Sequence, residues 1–99
     1  MNDLIFKLCS TCGVSGCEDN ITKLCYDELS KYSCVKIDNM GNLIATFENK
    51  NAKKHILFDA HIDQIGLIVT SILEDGFLKV SSCGGVDCRV MQGSTVVIH

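Results

Sequence analysis

The chain has 99 residues, of which 46% are hydrophobic, and a formal net charge of -3. This length fits one small domain or a part of a larger one, and the hydrophobic fraction is too high for a disordered chain. The negative charge gives no reason to expect nucleic acid or an anionic membrane as a partner.

The N-terminus does not have the pattern of a signal peptide, because Asp3 and Lys7 interrupt its apolar stretch. The longest apolar run, residues 65–73, is only about half as long as a membrane span. We therefore expect a cytoplasmic protein that does not cross a membrane. The seven cysteines are then expected to be reduced and to act as small buried apolar residues, without forming a disulfide framework.

The chain begins with two predicted helices. Apolar residues recur at helical spacing over residues 4–12, and Gly13 follows where a glycine often ends a helix. Ser15 and Glu18 have the spacing of a capping box, which predicts a second helix over residues 16–32.

Strand patterns replace helical ones after residue 33. The predicted strands cover residues 34–38, 43–47, 55–61, 65–73, 77–81 and 95–98. The run at 55–61 is apolar enough for a buried strand. The last strand has no turn after it, so we expect the polypeptide to continue beyond residue 99. Helices followed by mostly antiparallel strands predict an α+β fold, or part of an α/β domain.

His61 and Asp63 end the apolar run and form a His-x-Asp pair. On a strand these two residues face the same side, so both can serve one ligand. Imidazole is a common metal ligand, and its second N–H then needs an acceptor such as a carboxylate. The spacing alone equally fits a core histidine that is hydrogen-bonded to an aspartate without any metal.

Cys9 and Cys12 form a Cys-x-x-Cys pair, with Cys17 close by. Such a pair binds zinc or takes part in redox chemistry. Cys83 and Cys88 supply the second pair of a structural zinc site only loosely. The motif also ends a predicted helix and does not follow a strand. Core thiols are therefore the favoured interpretation.

Four segments, in order along nearly the whole chain, resemble the tetrahedral metallo-aminopeptidases of the glutamyl aminopeptidase type. The segments are Gly13-Val-Ser-Gly16 with Glu18-Asp19, Asp38-Asn-Met-Gly41-Asn42, Phe58-Asp-Ala-His61-Ile-Asp63-Gln-Ile-Gly66, and Gly84-Gly85-Val-Asp87-Cys-Arg89-Val90 with Gly93. The third segment resembles the first metal motif of that family. The resemblance implies that His61 binds metal and that Asp63 orients it without being a ligand.

The resemblance further implies an α/β class fold. Residues 1–66 would be the N-terminal part of an α/β/α zinc-peptidase catalytic domain, and residues 67–99 the beginning of an inserted β-rich dimerisation domain. Such enzymes use two divalent metal ions, zinc or cobalt, to hydrolyse N-terminal residues from peptides. They assemble from dimers into dodecamers.

The chain departs from the family pattern at three positions. Gln64 stands where many relatives have glutamate, and Cys12 and Cys17 stand where proline and an aromatic residue are common. The family's remaining ligands and its general base lie beyond residue 99. We therefore expect this chain alone to be inactive and to bind metal weakly or not at all.

Two alternatives to an aminopeptidase remain open at this point. One is a non-enzymatic, β-rich association module in which the His-x-Asp motif is vestigial. The other is a related metallo-deacylase with the same type of motif.

Overall fold

The computed structural model describes residues 2–99 and contains a small mixed arrangement of helices followed by strands. In chain order the elements are α1 (Asn2–Ser10), α2 (Asp19–Leu29), β1 (Cys34–Ile37), β2 (Leu43–Thr46), β3 (Gly66–Ile72) and β4 (Leu78–Cys83). This order confirms the α+β prediction at the level of the described residues.

The two helices are short. They have 9 and 11 residues, and neither helix of the described chain is long and apolar enough to cross a bilayer. α1 ends where the Thr11 hydroxyl donates a hydrogen bond to the carbonyl of Lys7 at 2.7 Å. α2 ends where the Ser30 hydroxyl donates to the carbonyl of Tyr26 at 2.6 Å. Each of these carbonyls also accepts the backbone N–H of the same residue, at 3.1 Å for Lys7 and 2.9 Å for Tyr26, so the hydroxyl is a second donor at the end of each helix.

α2 begins later than the predicted capping box requires. Its first residue is Asp19, and Glu18 at the capping position makes no side-chain hydrogen bond to the helix. The Glu18 carboxylate instead accepts from the backbone N–H of Gly16 at 2.7 Å. The prediction of a Ser15 cap is wrong, because the Ser15 hydroxyl donates to another part of the chain.

β1 and β2 form an antiparallel hairpin that is closed by a turn beginning at Asp38, whose carbonyl accepts from the Gly41 N–H at 3.1 Å. The Asp38 carboxylate accepts hydrogen bonds from the backbone N–H of Met40 and of Asn42, each at 2.9 Å. Gly41 has a φ of +84°, a conformation that glycine adopts without strain. The prediction that Asp38 serves the turn is confirmed.

β3 and β4 form the second antiparallel hairpin. Its turn contains Gly76, with a φ of +80°, and the register shifts at Thr70 so that this residue has no partner across the ladder. The Thr70 hydroxyl donates to the carbonyl of Lys79 at 3.2 Å. Both predicted hairpins are therefore confirmed. The two hairpins belong to separate two-stranded sheets.

Two predicted strands do not form. Residues 55–61 and 95–98 have irregular backbone, and Leu57 and Phe58 are 89% and 91% exposed. A strand exists only through hydrogen bonds to a neighbouring strand, and residues 2–99 supply none to either segment. The prediction of a buried strand at 55–61 is wrong for this structure for that reason.

The core of the described chain is very small. Ile21 is its only buried large apolar residue, at 4% exposure, and it packs beside Gly13, where an added Cβ would lie 2.5 Å from Ile21 Cγ2. The radius of gyration is 17.9 Å, whereas a compact chain of this length has about 13 Å. The elements form locally, without closing around a shared interior.

Candidate functional site

His61 lies in direct contact with Asp63. Its Nδ1 is 2.9 Å from Asp63 Oδ1 and 3.1 Å from the backbone oxygen of Asp63. A carbonyl oxygen and an ionised carboxylate oxygen both accept hydrogen bonds only, so Nδ1 must carry the proton. The unprotonated nitrogen of the neutral ring is then Nε2, and the side chain is 85% exposed. Such a nitrogen is free to bind a cation.

Asp63 is held by a second donor, the hydroxyl of Ser15. Ser15 donates to Oδ2 of Asp63, while Oδ1 faces His61. The Ser15 hydrogen bond, followed by the His61 contact, lowers the pKa of the Asp63 carboxyl below its ordinary value. The carboxylate is therefore ionised at neutral pH and acts as an acceptor for both neighbours.

The backbone fixes this arrangement across a long sequence separation. The N–H of Gln64 donates to the carbonyl of Gly13 at 2.8 Å, and Val14 forms a parallel bridge with Gln64. Gly66 lies against Val14 so closely that an added Cβ would be 2.6 Å from Val14 Cγ2. The loop Gly13–Gly16 therefore lies directly beside the His-x-Asp segment.

The sequence pattern did not predict the contact of Ser15 with the His-x-Asp pair. Its spacing to Glu18 predicted a helix cap, whereas its hydroxyl donates to Asp63, 48 residues away. The available signal was its place between glycines in the Gly13–Gly16 segment. Glycines on either side of a polar residue are typical of a loop that approaches another backbone closely.

Gln64 uses its amide in a way that glutamate could not. Its Nε2 donates to the backbone carbonyl of Thr11 at 3.4 Å. An ionised glutamate carboxylate has no hydrogen to donate. Glutamine in place of glutamate at position 64 therefore adds a hydrogen bond between the His-x-Asp segment and the residue that follows α1.

Residues 2–99 do not assemble a complete metal site. No three His, Cys, Asp or Glu side chains in this part of the chain lie close enough together to hold a metal ion. The oriented imidazole of His61 fits the role of one ligand, and Asp63 fits the carboxylate that holds the ring.

The cysteines do not form the alternative zinc site. All seven are free; four are exposed and three are partly buried. The prediction of buried thiols is wrong for this structure, because the described chain has almost no closed core. Burial nevertheless raises the pKa of the Cys25 thiol on α2.

The fourth motif segment holds its two charged residues together. The Arg89 guanidinium donates to both carboxylate oxygens of Asp87, with its Nη2 2.7 Å from Oδ2. This contact lowers the pKa of Asp87. The two opposite charges therefore form an ion pair between residues that are two apart in the sequence.

The chain is similar to known aminopeptidases. The family described as M42 glutamyl aminopeptidase matches residues 41–99. The chain is 43% identical to a putative aminopeptidase of Acetivibrio thermocellus, over 89% of this chain and 27% of the relative. It is 42% identical to lysyl aminopeptidase of Pyrococcus furiosus, over 85% of this chain and 24% of that protein. It is 33% identical to the putative aminopeptidase FrvX of Escherichia coli, over 98% of this chain and 27% of FrvX. The chain thus spans about a quarter of the length of these curated relatives.

Proposed function

The chain belongs to the M42 glutamyl aminopeptidase family, and on that premise we propose that it forms the N-terminal part of a metal-dependent aminopeptidase. The full-length protein would remove N-terminal residues from peptides in the cytoplasm. Its two divalent metal ions would be zinc or cobalt.

The observation that carries this proposal is the geometry at His61. Asp63 accepts from Nδ1 at 2.9 Å, so Nε2 is the nitrogen available to a metal. His61 would hold a metal there together with further ligands, and the metal would supply a bound water with its pKa lowered to about 7 and a Lewis acid for the substrate carbonyl. In that arrangement Asp63 orients the ligand and does not bind the metal itself.

We also propose that the chain contributes to two domains. Residues 1–66 would belong to the catalytic domain and residues 67–99 would begin a β-rich dimerisation domain. The β3–β4 sheet supports the second assignment, because within the described chain it has only two strands and each leaves one edge unpaired. Unpaired strand edges favour association with another chain. The assembly would then be built from dimers.

The test is an assay of the purified full-length protein on short peptides with either a free or an acetylated N-terminus. We expect cleavage only of the free-amine peptides. Removal of metal with a chelator should abolish it, and added zinc or cobalt should restore it. His61→Ala should abolish activity, because it removes a metal ligand.

His55→Ala is the matched control, since His55 is an exposed histidine on the same segment. It should leave activity unchanged. Cleavage of acetylated peptides alone would support the metallo-deacylase instead. Complete inactivity of the metal-loaded full-length protein on both substrates would favour the association module.

A further inference from the structure

The loop Gly13–Gly16 brings one hydroxyl to the carboxylate that holds His61. Ser15 donates to Asp63 Oδ2, and Asp63 Oδ1 accepts from His61 Nδ1 at 2.9 Å. The three side chains form a continuous line of hydrogen bonds in which each polar hydrogen has an acceptor. No other side chain of residues 2–99 donates to Asp63.

Ser15 is held in this position from more than one side. The Gly13 carbonyl accepts from Gln64 N–H at 2.8 Å, which aligns the loop with the segment that carries Asp63. The thiol of Cys83, at the end of β4, donates to the Ser15 carbonyl at 3.7 Å. These contacts hold the Ser15 backbone between the His-x-Asp segment and β4.

The hydrogen bond has a consequence for the imidazole. A carboxylate rotates about its Cβ–Cγ bond unless both oxygens are engaged, and that rotation would move Oδ1 away from Nδ1. A hydroxyl donor on Oδ2 restricts this rotation. Because the hydroxyl is neutral, it stabilises the ionised carboxylate without adding a positive charge that would repel a metal ion. Loss of the group that accepts a hydrogen bond from a ligating histidine typically weakens metal binding ten- to hundredfold. Ser15 lies one contact further out, on Asp63, so we expect its loss to cost no more than the lower end of that range.

We propose that Ser15 is a positioning residue for His61, acting through Asp63 to orient the ring so that Nε2 faces the metal. This inference rests on the proposed function, in which His61 is a metal ligand. It adds a residue of the N-terminal loop to a site that the His-x-Asp motif alone had defined.

The experiment measures the affinity of the full-length, metal-depleted protein for zinc ions, by competition with a chromophoric chelator. Ser15→Ala should weaken zinc binding by about tenfold. Ser15→Thr retains the hydroxyl and should bind zinc much as the unsubstituted protein does. Ser30→Ala is the matched control: it removes an exposed hydroxyl that donates to the Tyr26 carbonyl and should have no effect.

A second comparison separates positioning from general loss of structure. If Ser15 acts only through Asp63, then adding Ser15→Ala to Asp63→Asn should weaken binding no further. An additive loss would contradict the proposal, and so would unchanged affinity in Ser15→Ala or an equal loss in Ser15→Thr. Thermal unfolding of each variant identifies any change that comes from misfolding.

The outcomes also separate this inference from the proposed function. If His61→Ala and Asp63→Asn weaken zinc binding and Ser15→Ala does not, only the role of Ser15 is refuted. If His61→Ala leaves zinc binding unchanged, the proposed metal site itself is refuted.

Discussion

Asp38 and Asp63 are both exposed or half-exposed aspartates whose pKa lies below its ordinary value, but their hydrogen-bond donors differ in origin. Asp38 accepts hydrogen bonds from Asn42 and Met40, which lie within four residues of it. Asp63 accepts a hydrogen bond from Ser15, which lies 48 residues away in the sequence. The first carboxylate stabilises a turn, and the second is in hydrogen-bond contact with an imidazole. The difference in role follows from the donors, since the acceptor is chemically the same.

The first prediction concerns the titration of Asp38. The Asn42 side chain and backbone lower its pKa below 3.8, so its hydrogen bonds stabilise the β1–β2 hairpin above that pH and are lost as pH falls through the lowered pKa. Asn42→Ala should raise the pKa of Asp38 toward its ordinary value. Carboxyl carbon shifts followed by NMR against pH would measure this change.

Asn51→Ala provides the control for that titration, because Asn51 lies in a separate loop. It should leave the pKa of Asp38 unchanged. An Asp38 midpoint that is the same with and without the Asn42 side chain would show that the side chain is not the main cause of the lowered pKa.

At the level of elements, the contact between the Gly13–Gly16 loop and the start of β3 depends on close packing. The loop pairs with Gln64 through backbone hydrogen bonding, and Gly66 accommodates the Val14 side chain. The two hairpins, by contrast, close through their own turns. The site therefore depends on one long-range junction, while the strands around it depend on local pairing.

The second prediction is that Gly66→Ala opens this junction. The added Cβ would lie 2.6 Å from Val14 Cγ2, closer than packed carbon atoms approach, so the loop must move. Loss of the Gln64–Gly13 hydrogen bond should speed exchange of the Gln64 amide, measured by hydrogen–deuterium exchange.

Gly85→Ala is the matched control for the junction, because an added Cβ there meets no atom within 4 Å. Val14→Ala combined with Gly66→Ala should restore part of the protection of the Gln64 amide, since it removes the two closest atoms and leaves the Cβ of residue 14 at 3.2 Å from the added methyl group. Unchanged exchange in Gly66→Ala alone would show that the close approach is not essential.

At the level of the whole molecule, apolar surface is abundant and unevenly covered. Large apolar side chains are exposed on α1, on both hairpins and along residues 56–58. Exposed apolar surface in this amount indicates an interaction site or a tendency to associate. The extended shape, 64 by 31 by 22 Å, has the same cause: the described elements share almost no interior.

The third prediction is that this 99-residue chain self-associates through the β-rich part that follows Ile65. Light scattering at tens of micromolar should report species larger than a monomer. Ile72→Lys, at a position 75% exposed on β3, should reduce association by placing a charge on the hairpin.

Phe6→Lys is the matched control, because Phe6 is 73% exposed but lies on α1. It should leave self-association nearly unchanged. Monomeric behaviour of the unsubstituted chain, or an equal effect of both substitutions, would exclude association through the hairpin.

The fourth prediction concerns metal binding by the same 99 residues. Isothermal titration with zinc should show no stoichiometric site tighter than micromolar, because His61 is a single oriented ligand and residues 2–99 bring no three ligand side chains together. A tighter site that disappears in His61→Ala would contradict the prediction.

Local structure was predicted well from the residue pattern. Alternating apolar residues and turns with glycine predicted both hairpins, and the predicted helices occur with shorter bounds. The motif at His61 and Asp63 was also evident, because the two residues are neighbours in sequence. Apolar spacing and turn residues are local signals, so they predict local elements, although the local Ser15–Glu18 capping box does not form.

Long-range features were not predictable in this way. Whether residues 55–61 form a strand depends on a neighbouring strand, and whether Ser15 caps a helix or holds Asp63 depends on which acceptor is nearer in the fold. The amino-acid sequence by itself determined the helices, the hairpins, the family and the His-x-Asp pair. Only the tertiary structure decided that Ser15 completes this pair, because a hydroxyl bonds to the acceptor that folding brings within reach.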